Sequence, residues 1–80
     1  MRARPRNWTK HIALDPKILG GKPVIKGTRV PVQVIVGSLA GGMSIAEVGE
    51  QYRLKPEQVQ AALAYAAEVL ADEKVYALAP

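Results

Sequence analysis

The chain has 80 residues, of which 49% are hydrophobic, and a formal net charge of +4, and this length corresponds to one small domain. It contains no cysteine and one histidine, which excludes disulfides and thiolate metal sites, and we expect no enzymatic activity, no cofactor and no bound metal. No segment reaches the roughly 20 apolar residues of a membrane span. No secretory signal is recognisable either, so the expected compartment is the cytoplasm.

Residues 1–10 form a basic segment that contains four cations and no acidic residue. Proline and alternating arginines disfavour regular structure, so we expect a flexible arm over residues 1–10 and a single domain over residues 11–80. Trp8 is expected to mark where the arm docks on the fold. Such arms often bind nucleic acid, although a solubilising tail explains the same charge equally well. The candidate DNA contacts of the arm are Arg2, Arg4 and Arg6.

Extended backbone is predicted on both sides of a glycine-rich turn. Ile18-Leu19 and Val24-Ile25 are predicted strands, because β-branched residues favour extended backbone, and the turn at residues 20–23 contains glycines that allow positive φ. A two-stranded ribbon is unstable by itself. The predicted β-hairpin must therefore pack on the helices or pair with a second copy of itself, and we expect pairing with a second copy, alone or together with packing on the helices.

The first helix is predicted to begin at Val30-Pro31, because proline suits a first helical position, where its missing N–H would be unpaired anyway. Gly41-Gly42 is expected to end this helix. Its apolar residues recur at helical spacing and form one wide face: Val32, Ile35, Val36, Leu39 and Ala40.

The second helix is predicted from a capping box. Ser44 caps the helix start, and Glu47 reaches back to it from three residues later. Gly49 lies inside this helix and costs about 1 kcal/mol relative to alanine. This glycine predicts either a weak helix or a position of close packing.

The third helix is predicted to open at Pro56-Glu57 and to run to about residue 77. Its expected core positions are Val59, Ala62, Leu63, Ala66, Ala67 and Leu70. A second apolar line consists of Tyr65, Val69 and Tyr76. Two apolar lines exceed what the core of so small a domain can use, so we expect the second line to form the interface of a two-fold homodimer; plain core is the alternative.

The fold predicted from these elements is mainly α, a three-helix homeodomain-like bundle with an N-terminal β-hairpin. Residues 52–55 have the length of the turn in a helix-turn-helix. In a DNA-binding version Arg53 and Lys55 would hold phosphates and Gln58 would contact a base edge. Glu57 would face the phosphates unfavourably, and a compact scaffold without DNA-binding function remains an open alternative.

A longer motif connects these elements to a known family. Residues 18–32 read ILGGKPVIKGTRVPV, Asp15-Pro16 precedes them, and Gly42-Met43-Ser44 with Glu47 and the alanine-rich residues 61–66 follow. Together they resemble the signature of a small prokaryotic family, domain of unknown function 433 (DUF433), over roughly residues 12–67. Gly49 replaces an expected helix former, and the arginine-rich start has no counterpart in the family pattern.

The resemblance implies a helix-turn-helix domain with an N-terminal β element. Some members of the family are thought to be antitoxins that cover a PIN-like ribonuclease toxin and repress their own promoter. The signature places Lys22, Lys26, Thr28 and Arg29 at the site of interest. We therefore expect an antitoxin-like regulatory protein; a helix-turn-helix transcription factor without a toxin partner, or a structural dimerisation module, is the alternative.

Two residues of the signature carry competing interpretations. Thr28-Arg29 could bind an anion at the start of the first helix. Alternatively Thr28 closes a turn and Arg29 pairs with an acidic group of a partner chain, such as a carboxylate of the nuclease site.

His11 is expected to be exposed or packed, because His11 and Asp15 alone offer too few ligands for a metal or acid–base site.

Overall fold

The computed structural model describes residues 7–72, in which a two-stranded antiparallel hairpin precedes three helices. Short 3₁₀ turns cover Asn7–Lys10 and Leu19–Gly21. The strands are β1 (Ile12–Ala13) and β2 (Val24–Ile25), and the helices are α1 (Val32–Ala40), α2 (Ile45–Tyr52) and α3 (Pro56–Asp72). The predicted mainly α fold, with three helices and an N-terminal hairpin, is confirmed.

The first strand of the hairpin lies earlier in the chain than predicted. β2 pairs with Ile12–Ala13, in a register that places Ile12 opposite Ile25, so the predicted strand at Ile18-Leu19 is wrong. Leu19, Gly20 and Gly21 have φ values of 50°, 67° and 89°, and this left-handed backbone is incompatible with a strand. The glycines that suggested a turn between strands belong to a 3₁₀ turn within a longer connection.

β2 also contacts the chain that follows it. The Ile25 amide donates to the Val30 carbonyl over 2.9 Å, and the Val32 amide donates to the Pro23 carbonyl over 2.9 Å. The Thr28 amide donates to the Ile25 carbonyl over 2.9 Å. This turn has Gly27 at its third position with φ 81°, as a type II turn requires. The chain thus folds back along β2 and enters α1.

Helix α1 starts slightly later than predicted. Pro31 is its N-cap and has extended backbone, with φ −71° and ψ 145°, so it precedes the helix and is not its first residue. Val32 and Ile35 are buried as predicted, whereas Ala40 is exposed. The helix ends at Gly41, which confirms the predicted stop.

Helix α2 begins at the predicted capping box. The Ser44 hydroxyl accepts from the Glu47 amide over 3.0 Å, and the Glu47 carboxylate accepts from the Ser44 amide over 2.8 Å. Two amide groups that the helix itself cannot satisfy are therefore paired.

The buried face of α3 differs from the predicted one. Val59, Ala61 and Ala62 are buried, whereas Leu63 is 36% exposed and Leu70 is 62% exposed. The predicted core positions Leu63, Ala67 and Leu70 are therefore wrong. Alanines at the buried positions let the other elements approach the helix backbone, so the large leucines are left on the outer side.

The end of the predicted arm docks on α3 through its tryptophan. The Trp8 indole N–H donates to the Glu68 carboxylate over 3.0 Å, and the Trp8 ring meets the Tyr65 ring edge-on, with centroids 4.9 Å apart. Docking at Trp8 is thus confirmed, and Asn7–Lys10 forms a packed 3₁₀ turn. Residues 1–6 lie outside the described part of the chain.

One hydrophobic core joins the hairpin to all three helices. Its buried members are Ile12, Ile25, Val32, Ile35, Val48, Leu54, Val59, Ala61 and Ala62. Because both strands contribute to it, the hairpin packs on the helices of its own chain. Stabilisation by a second copy alone is therefore wrong, and pairing with a second copy in addition stays a prediction. Within residues 7–72, no helix is long and apolar enough to cross a membrane.

Candidate partner-binding surfaces

Three cations of the signature lie on the loops that flank β2. Lys22, Lys26 and Arg29 are all exposed, and we call them the hairpin cations. Lys26 and Arg29 belong to the loop that starts with the type II turn, and Lys22 lies at the opposite end of β2. None of the three has a carboxylate partner among residues 7–72. Their charges are therefore available to an acidic partner.

Thr28 has a structural role in the same loop. Its hydroxyl donates to the Ile25 carbonyl over 2.7 Å and accepts from the Val30 amide over 3.0 Å. The turn-closing interpretation of Thr28 is confirmed. The anion-site interpretation is weakened, because the Thr28 hydroxyl and the first helical amide, that of Val32, both donate to main-chain carbonyls.

Positive and negative charges occupy different halves of the described chain. Residues 7–31, which we call the hairpin half, contain five cations and one carboxylate, a net charge of +4. Residues 32–72, the helical half, contain two cations and five carboxylates, a net charge of −3. An acidic surface would therefore be attracted to the hairpin half and repelled by the helical half.

The turn between α2 and α3 packs closely against Gly49. The Leu54 amide donates to the Gly49 carbonyl over 2.8 Å, and a Cβ atom on Gly49 would lie 2.7 Å from the Leu54 carbonyl oxygen. Arg53 ends α2 in left-handed backbone, with φ 59°. Of the two predictions for Gly49, close packing is the one confirmed.

The predicted DNA contacts of this turn differ in their availability. Arg53 and Lys55 are exposed on either side of buried Leu54. The Gln58 side-chain oxygen accepts from the Lys55 amide over 2.7 Å, so it caps α3 instead of being free to contact a base. The remaining predicted DNA contacts, Arg2, Arg4 and Arg6, lie outside the described residues.

Helix α3 itself lacks positive charge. Residues 56–72 contain no lysine or arginine, and Glu57 is exposed in the first turn. A recognition helix enters the major groove with its N-terminal residues. Because the first turn of α3 contains Glu57 and no cation, the charge of α3 does not favour binding in the groove of DNA.

An apolar groove of about 680 Å³ runs between α1 and α3. We call it the α1–α3 groove. It is lined mainly by Val32, Val36, Gly37, Tyr65, Val69 and Leu70. The predicted interface residues Tyr65 and Val69 therefore share one surface, with Tyr65 half-buried and Val69 39% exposed; the third, Tyr76, lies outside the described residues.

The sequence prediction missed the contribution of α1 to this surface, because it placed Val36 on the single apolar face of α1 that was expected to face the core. Val36 is only half-buried. Gly37 in the middle of the helix was the available signal, since a glycine without a local backbone requirement often marks an open or closely packed surface.

A smaller cleft of about 220 Å³ lies beside the docked tryptophan. Its polar lining comes from Trp8, His11, Glu57 and Gln60. Among residues 7–72 no group of three or more histidine, cysteine, aspartate or glutamate side chains could hold a metal ion. That the chain has no enzymatic activity and no cofactor stays a prediction.

Comparison with known proteins relates the chain to one family. The family model described as "Protein of unknown function (DUF433)" matches residues 12–66. The uncharacterized protein y4eO of Sinorhizobium fredii is 41% identical over 56 residues, which are 69% of this chain and 25% of that protein. The crystal structure of Rv2018 from Mycobacterium tuberculosis is similar with a TM-score of 0.60 and 35% identity, over 65% of this chain and 24% of Rv2018. The chain thus spans about a quarter of the length of these two relatives.

Proposed function

The chain belongs to the DUF433 family of proteins of unknown function, and we propose that it is an antitoxin-like regulatory protein that binds and neutralises a PIN-like ribonuclease. The observation that supports this proposal is the separation of charge between the two halves. The hairpin half carries a net charge of +4, and its hairpin cations are exposed and lack carboxylate partners within residues 7–72. Such a surface suits a partner with a cluster of carboxylates.

The proposed mechanism is occlusion of the nuclease site. A nuclease that holds metal ions through carboxylates presents concentrated negative charge, and charge-assisted hydrogen bonds from lysine or arginine to such groups are among the strongest in proteins. Arg29 is the best candidate for insertion, because its planar guanidinium binds a carboxylate through two parallel hydrogen bonds. It adjoins Thr28, whose hydroxyl bonds hold the loop in one conformation.

Neutralisation assays test this proposal. The ribonuclease that this proposal expects to be encoded beside the chain would be mixed with the wild-type chain and with Arg29→Ala, and RNA cleavage would be measured against the concentration of the chain. We expect Arg29→Ala to need at least about tenfold more protein for the same inhibition, which corresponds to a loss of about 1.4 kcal/mol. Lys55→Ala is the matched control, because it removes an exposed cation from the helical half.

Two results would count against the nuclease partner. If Arg29→Ala neutralised the nuclease as well as the wild type does, insertion of Arg29 into the nuclease site would be excluded, but binding of the nuclease would not. A neighbouring gene that encodes no nuclease would argue against the pairing itself.

DNA binding is a second candidate function, favoured by the helix-turn-helix arrangement of α2 and α3 and by the exposed cations Arg53 and Lys55. A gel-shift titration across salt concentrations tests it. Phosphate contacts make the logarithm of the affinity fall with the logarithm of salt concentration, by about 0.9 for each contact. Binding that is absent, or that does not change with salt, would favour the protein partner.

A further inference from the structure

The α1–α3 groove is an exposed apolar concavity. Leu70 is 62% exposed and Val69 is 39% exposed, and both lie beside the half-buried Val36 and Tyr65. A single exposed leucine is ordinary, but a contiguous apolar concavity typically marks an interaction site. None of the hairpin cations lines the groove, although Lys22 is next to Pro23, which does.

We propose that the α1–α3 groove is the docking site for a second copy of this chain, in a two-fold symmetric dimer. In such a dimer the same patch of both copies meets, so it must contain both a depression and the residue that fills it. This patch does: the depression lies between the two helices, and Leu70 is exposed on its α3 side.

The distribution of charge directs self-pairing to this groove. In a two-fold dimer each patch faces its own copy, so a charged patch meets like charge. The hairpin half, at +4, and the helical half, at −3, would each repel their own copies if the contact involved their charged side chains. The groove lining contains no aspartate, glutamate, lysine or arginine. It therefore allows two copies to approach without burying like charges.

The composition of the groove also agrees with this occupant. Interfaces between identical chains are more apolar than those between transient partners, and the lining here is apolar apart from Gln33 and the Tyr65 hydroxyl. The lining is smaller than the roughly 20–30 residues that each partner contributes to a standard interface. We accordingly expect a dimer that dissociates in the micromolar range.

A lysine at Gly37 would block the groove without harming the fold. A Cβ atom at Gly37 meets no atom within 4 Å, and its φ is not positive. Lysine is also the better helix former of the two. Ala40→Lys is the matched control, because Ala40 is exposed on the same helix and does not line the groove.

Sedimentation velocity of the full chain from about 1 μM to 1 mM, the range around the expected dissociation constant, measures the effect. The wild type should approach twice its 8.6 kDa mass as concentration rises. Gly37→Lys should weaken the dimer at least about tenfold, and Ala40→Lys should remain within about twofold of the wild type. Gln33→Leu, which replaces the amide in the lining, should strengthen it about fivefold. Thermal melts followed by circular dichroism should show Gly37→Lys folded, with a cooperative transition.

Three outcomes would overturn the proposal. The wild type could remain a monomer at every concentration, which would leave residues 73–80 or another protein as the occupant of the groove. Gly37→Lys could dimerise as tightly as the wild type. Ala40→Lys could lose the dimer as completely as Gly37→Lys, which would place the interface elsewhere. The test uses the chain alone, so its result does not depend on the proposed nuclease partner.

Discussion

The hairpin half and the helical half obtain their order in different ways. The two strands of the hairpin half have two residues each, so its backbone is held mainly by turns such as the one that Thr28 closes. The helical half contains three helices, whose backbone amides beyond the first turn bond within each helix. A two-stranded ribbon is not stable alone, so the hairpin half depends on the core that it shares with the helices.

The largest effect is expected from breaking that shared core at β2. Ile25 is fully buried and belongs to the core cluster. Ile25→Ala should lower the free energy of unfolding by about 3 kcal/mol, because it removes buried methyl groups and leaves a cavity. Urea unfolding followed by tryptophan fluorescence and by far-ultraviolet circular dichroism should show both signals shifting together. Lys26→Ala, an exposed neighbour, should change stability by less than about 0.5 kcal/mol. Separate transitions for the two signals would contradict dependence on one core.

The next largest effect concerns the helical half alone. In Gly49→Ala the new Cβ atom would lie 2.7 Å from the Leu54 carbonyl oxygen, so the α2–α3 turn must shift. Overpacking of this kind costs about 1–3 kcal/mol, against a gain of about 1 kcal/mol that alanine brings to a helix. We expect a net loss of up to about 2 kcal/mol in chemical denaturation.

Gly37→Ala is the control for that substitution, because Gly37 is also helical but has open space where its Cβ would lie. It should raise the free energy of unfolding by up to about 1 kcal/mol. Equal changes in the free energy of unfolding at the two glycines would show that helix propensity alone determines the effect, and that the contact with Leu54 does not contribute.

A moderate effect is expected at the turn of the hairpin half. Thr28→Ala removes a hydroxyl that makes two hydrogen bonds with main-chain groups, and should cost about 1–2 kcal/mol. Thr28→Ser keeps both bonds and should recover most of the loss. If serine is no better than alanine in thermal melts, the methyl group and not the hydroxyl stabilises the loop.

The smallest effect is expected at the capping box of the helical half. Ser44→Ala removes the hydroxyl half of the capping box and should cost about 0.5–1 kcal/mol. The cost at Thr28 should exceed it, because α2 is also held by its own backbone bonds and by buried Val48. A larger loss at Ser44 than at Thr28 would reverse the comparison between the halves.

The sequence predicted the helical half better than the hairpin half, for a physical reason. Capping at Ser44 and termination at Gly41 depend on neighbouring residues, so local pattern was sufficient for them. The partner of β2 is β1, which lies eleven residues upstream in the paired register, Ala13 with Val24. Local pattern predicts a strand at the nearer apolar pair Ile18-Leu19 instead, because nothing in the neighbouring sequence shows that Leu19 adopts left-handed backbone.

Side-chain size explains the error on α3. Apolar spacing treats alanine and leucine alike, yet Ala61 and Ala62 are buried while Leu63 and Leu70 are exposed. Which face is buried depends on how closely the 3₁₀ turn, β1 and α1 approach this helix, and the pattern of one helix does not contain that information. The lining of the α1–α3 groove was therefore only partly predicted, with Tyr65 and Val69 identified and Leu70 and Val36 assigned to the core.

The hydrogen bond from Trp8 to Glu68 joins residues sixty positions apart. It brings the 3₁₀ turn at Asn7–Lys10 next to the second half of α3. When the first and last described elements of a unit lie side by side, chain segments can be added at both without distortion of its interior. The region of similarity makes up 24% of Rv2018 and 25% of y4eO.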